Sequence, residues 1–210
     1  MEPSMTDARP DRKPSRIQQR NRKRILEAAL DVFSQQGYRG ATLDQIATRS
    51  GLSKPNILYY FSGKEEIHVT LLNQLMETWL DPMRDIDPMG DPCEELLRYV
   101  HRKLEMSRKY PRESRLFANE ILQGAPRIRP HLERELKPLV DSTSAQIERW
   151  IDEGRLAAVD PMHLIFSIWA TTQHYADFEA QVQLLMRDRP HRDGAADYLD
   201  MLYRRLLTPH

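Results

Sequence analysis

The sequence predicts an all-α protein of about nine helices, with an N-terminal three-helix head on a larger helical body. Only eight glycines occur in 210 residues. Leu, Ala, Glu, Arg and Gln, which suit helices, are plentiful, and the alternating apolar runs that strands require are few. Apolar residues recur instead at three- and four-residue spacings between proline and glycine breaks.

Residues 1–15 hold three prolines and no periodic apolar residues, so they read as a disordered arm. From Arg16 the helical period begins, with Ile25, Ala29, Val32 and Phe33 on one face and Gly37 as the stop. Thr42 caps a short second helix with Gln45 three residues on, a capping box that ends near Ser50-Gly51. Ser53 caps a third, from Lys54 to about Tyr60, with Pro55 in the first turn, where a missing N–H costs little.

A fourth helix is expected from Gly63-Lys64 to about Leu80, with Leu72, Leu75 and Trp79 on one stripe and Asp81-Pro82 as its end. Residues 81–92 read as a proline-rich connector, and Asp91-Pro92-Cys93-Glu94 as the start of a fifth helix. Tyr110-Pro111 and the stretch from Gly124 to Pro130 break the helices that follow. Residues 131–153 are expected to be helical, with Pro138 kinking the segment or marking a second start. Asp160-Pro161 opens an apolar helix to about Phe178, and a last helix from about Asp193 places Ala195, Leu199, Leu202 and Leu206 on one face.

Charge divides the chain. Thirty-one basic residues balance thirty-one acidic ones overall, but residues 1–64 carry 12 Lys/Arg against 6 Asp/Glu. The rest is correspondingly acidic, so a polyanion-binding module joined to a different body is expected. Cys93 is the one cysteine, which excludes an internal disulfide and a cysteine zinc site and fits a reducing cytoplasm. No apolar run approaches the ~18–20 residues that span a bilayer, and the polar, Arg-rich start shows no secretory signal.

The segment Thr42–Phe61, TLDQIATRSGLSKPNILYYF, reads as a helix-turn-helix. Ile46, Ala47, Leu52 and Ile57 supply its apolar lock, and Gly51 its tight turn. The second helix of such a unit enters the major groove. Ser53, Lys54 and Asn56 sit at its N-terminal end, where Lys54 and Asn56 offer donors to bases or phosphates. Tyr59 and Tyr60 offer hydroxyls to phosphate and rings to sugar or a thymine methyl. Thr42 and Lys64, each near a helix N-terminus, are further phosphate candidates. The basic residues of the arm add attraction that weakens with salt.

These first 64 residues resemble the DNA-binding domain of TetR-family repressors: a long first helix, a TLDQIA-type second helix, SGLS, then LYYF followed by Lys64-Glu65. The resemblance implies an all-α homodimer joined through its last two helices, binding a pseudo-palindromic operator in double-stranded DNA. It sets the expected boundaries: an arm at 1–15, a DNA-binding domain at 16–64, and an effector-binding and dimerisation domain at 65–210.

In the body, Trp169 and Gln173 lie at i and i+4 in IWATTQHYADF, on one helix face. A flat ring beside a carboxamide that donates and accepts suits a small planar heterocycle. The same pair also suits ordinary core packing, where a tryptophan on an apolar helix usually belongs. Trp79 and Asn119-Glu120 are candidate further walls. WLDPM (79–83), KLEMSRKYP (103–111), SRLFANEILQGAP (114–126) and DPMHLIFSIWATTQHYADF (160–178) resemble the Rut-type pyrimidine-utilisation regulators within that family. That resemblance implies a uracil or thymine effector, ligand contacts at Trp169 and Gln173, and Trp79 as a wall. No cofactor and no metal are expected.

A TetR-type repressor sensing a different small molecule is the alternative. An enzyme built on Glu120, His174 and Asp177 is less favoured, because no nucleophile–base motif, phosphate loop or metal spacing accompanies them. A helical adaptor that uses the head for protein contacts is a third. The mechanism expected is a cytoplasmic repressor. Its fourth helix, about 25 Å long, carries a ligand-driven tilt from Trp79 to the head.

Overall fold

Eleven α-helices and one π-helical turn form the regular structure of residues 15–187 and 194–209, the part described by this computed structural model. All regular structure among the described residues is helical. The expected arm lies outside them, except for Ser15.

Ser15 and Gln18 form a capping box that opens α1 (Arg16–Gly40). Ile25, Ala29, Val32 and Phe33 are all buried, and Gly37 breaks the helical path at φ 67°, ψ 175°. Helix α2 (Leu43–Ser50) starts on the Thr42–Gln45 capping box and ends at Gly51, which takes φ 65°, a conformation glycine adopts without a Cβ clash. Helix α3 (Lys54–Tyr60) is capped by the Ser53 hydroxyl, which accepts from Asn56 N–H at 3.3 Å. Ile46, Ile57 and Phe61 close the head over Ile25, Ala29 and Phe33.

Helix α4 (Lys64–Arg84) runs past its expected end. Asp81-Pro82 does not stop it: Pro82 lies inside the last turn, buried beside Met83. The N–H that Pro82 lacks would have served the carbonyl of Thr78, an exposed residue. The connector is therefore only residues 85–91, after which Asp91 caps α5 (Pro92–Lys109). Helix α6 (Pro111–Leu122) follows directly.

Helix α7 (Arg129–His131), a π turn (Leu132–Leu136) and α8 (Lys137–Asp152) run on without a break. Pro138 sits in the first turn of α8, directly after the wider turn, and the helical path continues through it. Asp160 caps α9 (Pro161–Asp177) through a 2.8 Å bond from His163 N–H. A short α10 (Glu179–Leu185), absent from the expected set, has no side-chain cap and no buried residue. Helix α11 (Ala195–Leu207) buries Ala195, Leu199, Tyr203 and Leu207, whereas Leu206, expected on the inner face, is exposed.

Two main cores result. One joins the head to the body, because Leu116, Ala125 and Ile128 pack into the same cluster as Phe33, Ile46 and Ile67. The other lies in the body, where Leu97, Val100 and Leu104 of α5 meet Ile165 and Ile168 of α9, Trp150 of α8 and Tyr203 of α11. Between them Leu75, Trp79 and Met106 form a small third cluster with Phe117 and Tyr110.

Candidate functional site

The first site is the outer face of the head. Lys54, Leu58 and Tyr59 of α3 are exposed, with Tyr59 at 70% of its full accessibility. Lys54 pairs with Asp44 at 3.0 Å, but both side chains are largely open to solvent, where such a pair is worth little and is easily exchanged for a phosphate. The Tyr59 and Tyr60 rings meet edge to face at 5.0 Å. Their hydroxyls accept from Gln18 (3.2 Å) and Asn21 (3.1 Å), which places the basic first turns of α1 beside the end of α3. Gln18 and Asn21 were not among the sequence-predicted residues; their spacing on the outer face of α1 is the only signal that marks them. Thr42 and Ser53 hold their helix starts, and Asn56 is half-buried at the start of α3.

Lys64 differs from its expected setting. Its ammonium donates to the carbonyls of Tyr38 and Ala41, both at 2.8 Å, and lies 4.4 Å from the Tyr38 ring centre. In this conformation it braces the end of α1 rather than reaching outward.

The second site is a cavity of about 60 Å³ in the body, space for roughly four to six waters and so on the scale of one small ring. Trp79 of α4, Phe117 of α6, and Trp169 and Gln173 of α9 line it. The structure thus gathers all three sequence-predicted ligand residues around one hollow. Asn119 and Glu120, the other expected walls, do not line it. Glu120 is buried and accepts from Arg127 N–H at 2.7 Å and from its guanidinium at 3.1 Å.

Two polar lining residues were missed from sequence. Tyr99 accepts a 2.7 Å bond from the Trp169 indole N–H, which fixes the ring's orientation; burial pushes the Tyr99 phenol pKa upward. Lys103 lines the cavity with its Nζ 4.3 Å from the Trp79 ring centre. Burial pushes its pKa down to about 7, against a smaller opposing pull from Asp177. Asp177 is bonded to the Ser114 hydroxyl, and its own burial raises its pKa.

Head and body are joined by two polar clusters. Arg112 of α6 pairs with Glu27 and Asp31 of α1, and Asp31 also takes Arg49 of α2 at 2.7 Å. Nearby, the Arg127 guanidinium stacks 3.5 Å over Tyr38, whose ring meets His68 edge-on at 4.9 Å. Trp79 is shared between the cavity and a groove of about 470 Å³ formed by α1, α4 and α6. Leu75 lines both spaces as well.

The residues of the enzyme alternative are otherwise engaged: Glu120 with Arg127, Asp177 with Ser114, and His174 stacked on Phe178 at 4.9 Å. Among the described residues no group of three or more His, Cys, Asp and Glu is placed to hold a metal. No described helix is long and apolar enough to cross a membrane. Burial raises the Cys93 thiol pKa, which disfavours the reactive thiolate.

Comparison with known proteins follows the same division. Residues 25–69 match the sequence model described as bacterial regulatory proteins, tetR family, and residues 72–209 the one described as YcdC-like protein, C-terminal region. The chain is 48% identical over 171 residues to the HTH-type transcriptional regulator RutR of Escherichia coli strain K12, covering 81% of each chain. Among solved structures it resembles the putative transcriptional regulator SCO4942 from Streptomyces coelicolor (TM-score 0.74, 20% identity, 90% and 99% covered). It also resembles AibR in complex with isovaleryl coenzyme A and operator DNA (TM-score 0.70, 18% identity, 90% and 100% covered).

Proposed function

The chain belongs to the TetR family and is a helix-turn-helix transcriptional regulator; from that premise we propose that it represses pyrimidine-catabolic and nitrogen-utilisation genes and is released by uracil or thymine. The observation that carries this is the meeting of Trp79, Trp169 and Gln173 around one small cavity. The indole rings give stacking area, and the carboxamide gives the donor and acceptor that read a ring edge. The cavity is of a size for a single ring rather than a long acyl chain.

In this reading residues 16–64 read the operator and residues 65–210 sense and dimerise. The DNA-facing residues are Thr42, Ser53, Lys54, Asn56, Tyr59 and Tyr60, with Lys64 holding the base of the head. Dimerisation runs through α9 and α11, which leave Phe166, Tyr198, Met201 and Leu206 exposed. The protein acts in the cytoplasm as a regulator and not as an enzyme, in keeping with the regulatory function named for its relatives.

The mechanism follows from what each helix touches. Trp79 and the buried Ile67 and His68 lie on the same helix, α4. Phe117, at the cavity, and Arg112, bound to α1, lie on the same helix, α6. A ring seated against Trp79 and Trp169 moves α4 and α6 relative to α9, and both helices are attached to the head. In a two-fold dimer the α3 helices must meet major grooves about 34–36 Å apart or a multiple of that, so a small change in their spacing weakens binding. Moving such an equilibrium from 1:99 to 99:1 takes about 5.5 kcal/mol, shared over two sites.

Thermal-shift screening with uracil, thymine and their reduced derivatives tests the reading. A ligand that binds the native state raises the melting temperature. A flat response to every pyrimidine overturns it.

A further inference from the structure

Lys103 is the one charged side chain in the cavity wall. It is 4% exposed, and among the described residues its ammonium has no hydrogen bond or ion pair. What it meets is the face of Trp79, 4.3 Å away. Asp177 is close enough to favour the cation, but that carboxylate is bonded to Ser114. The neighbouring wall is apolar: Leu75, Met76, Leu80, Met83 and Phe117. A leucine or methionine would fill the position without the desolvation penalty that a buried, incompletely paired charge carries. The stem of Lys103 lies on the buried stripe of α5 with Tyr99 and Ser107, one turn to either side, so the residue is built into the body.

We propose that Lys103 selects the effector: its Nζ donates to an exocyclic carbonyl oxygen of a planar ring seated between Trp79 and Trp169, while Gln173 reads the ring's adjoining edge. This rests on the cavity being the effector site, as proposed above. It adds what that reading leaves open, namely the ligand feature that is recognised and the residue that recognises it. Shape and stacking alone would admit any small aromatic ring; a buried amine at this place favours a ring that brings an exocyclic oxygen to it, because a ring without one leaves Nζ poorly paired. The depressed pKa is the signature of the same burial without a full partner. An incoming carbonyl oxygen supplies the partner that this burial withholds.

The experiment is calorimetric titration of the full-length wild type, Lys103→Met and Trp169→Ala with uracil and with unsubstituted pyrimidine, the same ring without exocyclic oxygens. Methionine fits the apolar wall, so Lys103→Met folds, checked by a melting temperature no lower than wild type. The wild type binds uracil at least tenfold more tightly than pyrimidine. Lys103→Met weakens uracil by about 10–100-fold, the range for a hydrogen bond to a charged group, and narrows the preference over pyrimidine. If Lys103→Met keeps uracil affinity within twofold while Trp169→Ala loses it, the role of Lys103 is overturned and the cavity reading stands. If the wild type binds neither ring, the cavity reading itself fails and this inference falls with it.

Discussion

Arg112 of the body is ion-paired to Asp31 of the head. Asp31 in turn holds Arg49, the last-turn arginine of α2. The Asp31 carboxylate is only 16% exposed, and the two guanidiniums, working against its desolvation, hold its pKa below the ordinary carboxylate value. One acidic side chain thus receives the first helix-turn-helix helix and the body together. The ion pairs thus form one chain from α6 through α1 to α2.

Arg112→Ala is expected to loosen this junction more than it destabilises the fold, since Arg112 is about one-third exposed. Couplings of this type are typically worth about 1–3 kcal/mol, or 5–150-fold. The factor by which uracil weakens operator binding should fall several-fold, with uracil affinity for the free protein little changed. Fluorescence anisotropy of labelled operator with and without uracil measures it; an unchanged factor removes Arg112 from the path.

Lys54→Ala should weaken operator binding and reduce the slope of log affinity against log salt by about 1, the mark of one lost phosphate contact. Its present partner, Asp44, is an exposed carboxylate, so little stability should be lost. Titrations at several salt concentrations check both effects, and a parallel salt line would place Lys54 away from the backbone.

Trp169→Ala removes the ring that Tyr99 orients. Loss of stacking on one base-like ring costs about 1–3 kcal/mol, so uracil affinity should fall roughly 5–150-fold while operator affinity persists. Trp169→Phe, which keeps a ring without the indole N–H, should lie between. Equal uracil binding by all three proteins in calorimetry would return the tryptophan to the core.

His68 supplies a pH signature. Enclosed by Phe33 and Tyr38, it is held neutral mainly by burial, which outweighs the pull of Glu120 and is aided by Arg127 and Lys64; its pKa is pushed down to about 4. The unfolded imidazole, with its ordinary pKa of 6.5, takes up a proton first. The unfolded state therefore binds more protons between pH 6.5 and 4, and stability falls as pH drops through that window. The loss is on the order of 3 kcal/mol at most. Urea unfolding of wild type and His68→Gln across this range should show the extra acid sensitivity only in the wild type; parallel curves would contradict it.

Much of the head was legible because its signals are local. The Thr42–Gln45 box, the Ser53 cap and the left-handed Gly51 each depend on residues within a turn of one another. Trp169 and Gln173 were legible as a pair for the same reason, but the hollow beside them was not. It exists only because α4 and α5 bring Trp79, Tyr99 and Lys103 to the same place. Lys103 escaped notice because a lysine in an amphipathic helix ordinarily faces water. Its spacing of four residues from Tyr99 and from Ser107, both buried, was the available sign. Pro82 misled because a proline near a helix end resembles a stop, while tertiary burial carried α4 one turn further. Helix α10 left no trace because it buries nothing and so shows no apolar stripe. Lys64 looked like a phosphate ligand until the fold supplied two carbonyls within its reach.

The most direct test of the account is the affinity of uracil for the free protein and for the same protein saturated with its operator. If cavity occupancy and DNA binding favour different placements of α3, uracil must bind the operator complex more weakly. The factor must equal that by which uracil weakens the operator. Equal affinity of uracil for the free and operator-bound protein would contradict the account.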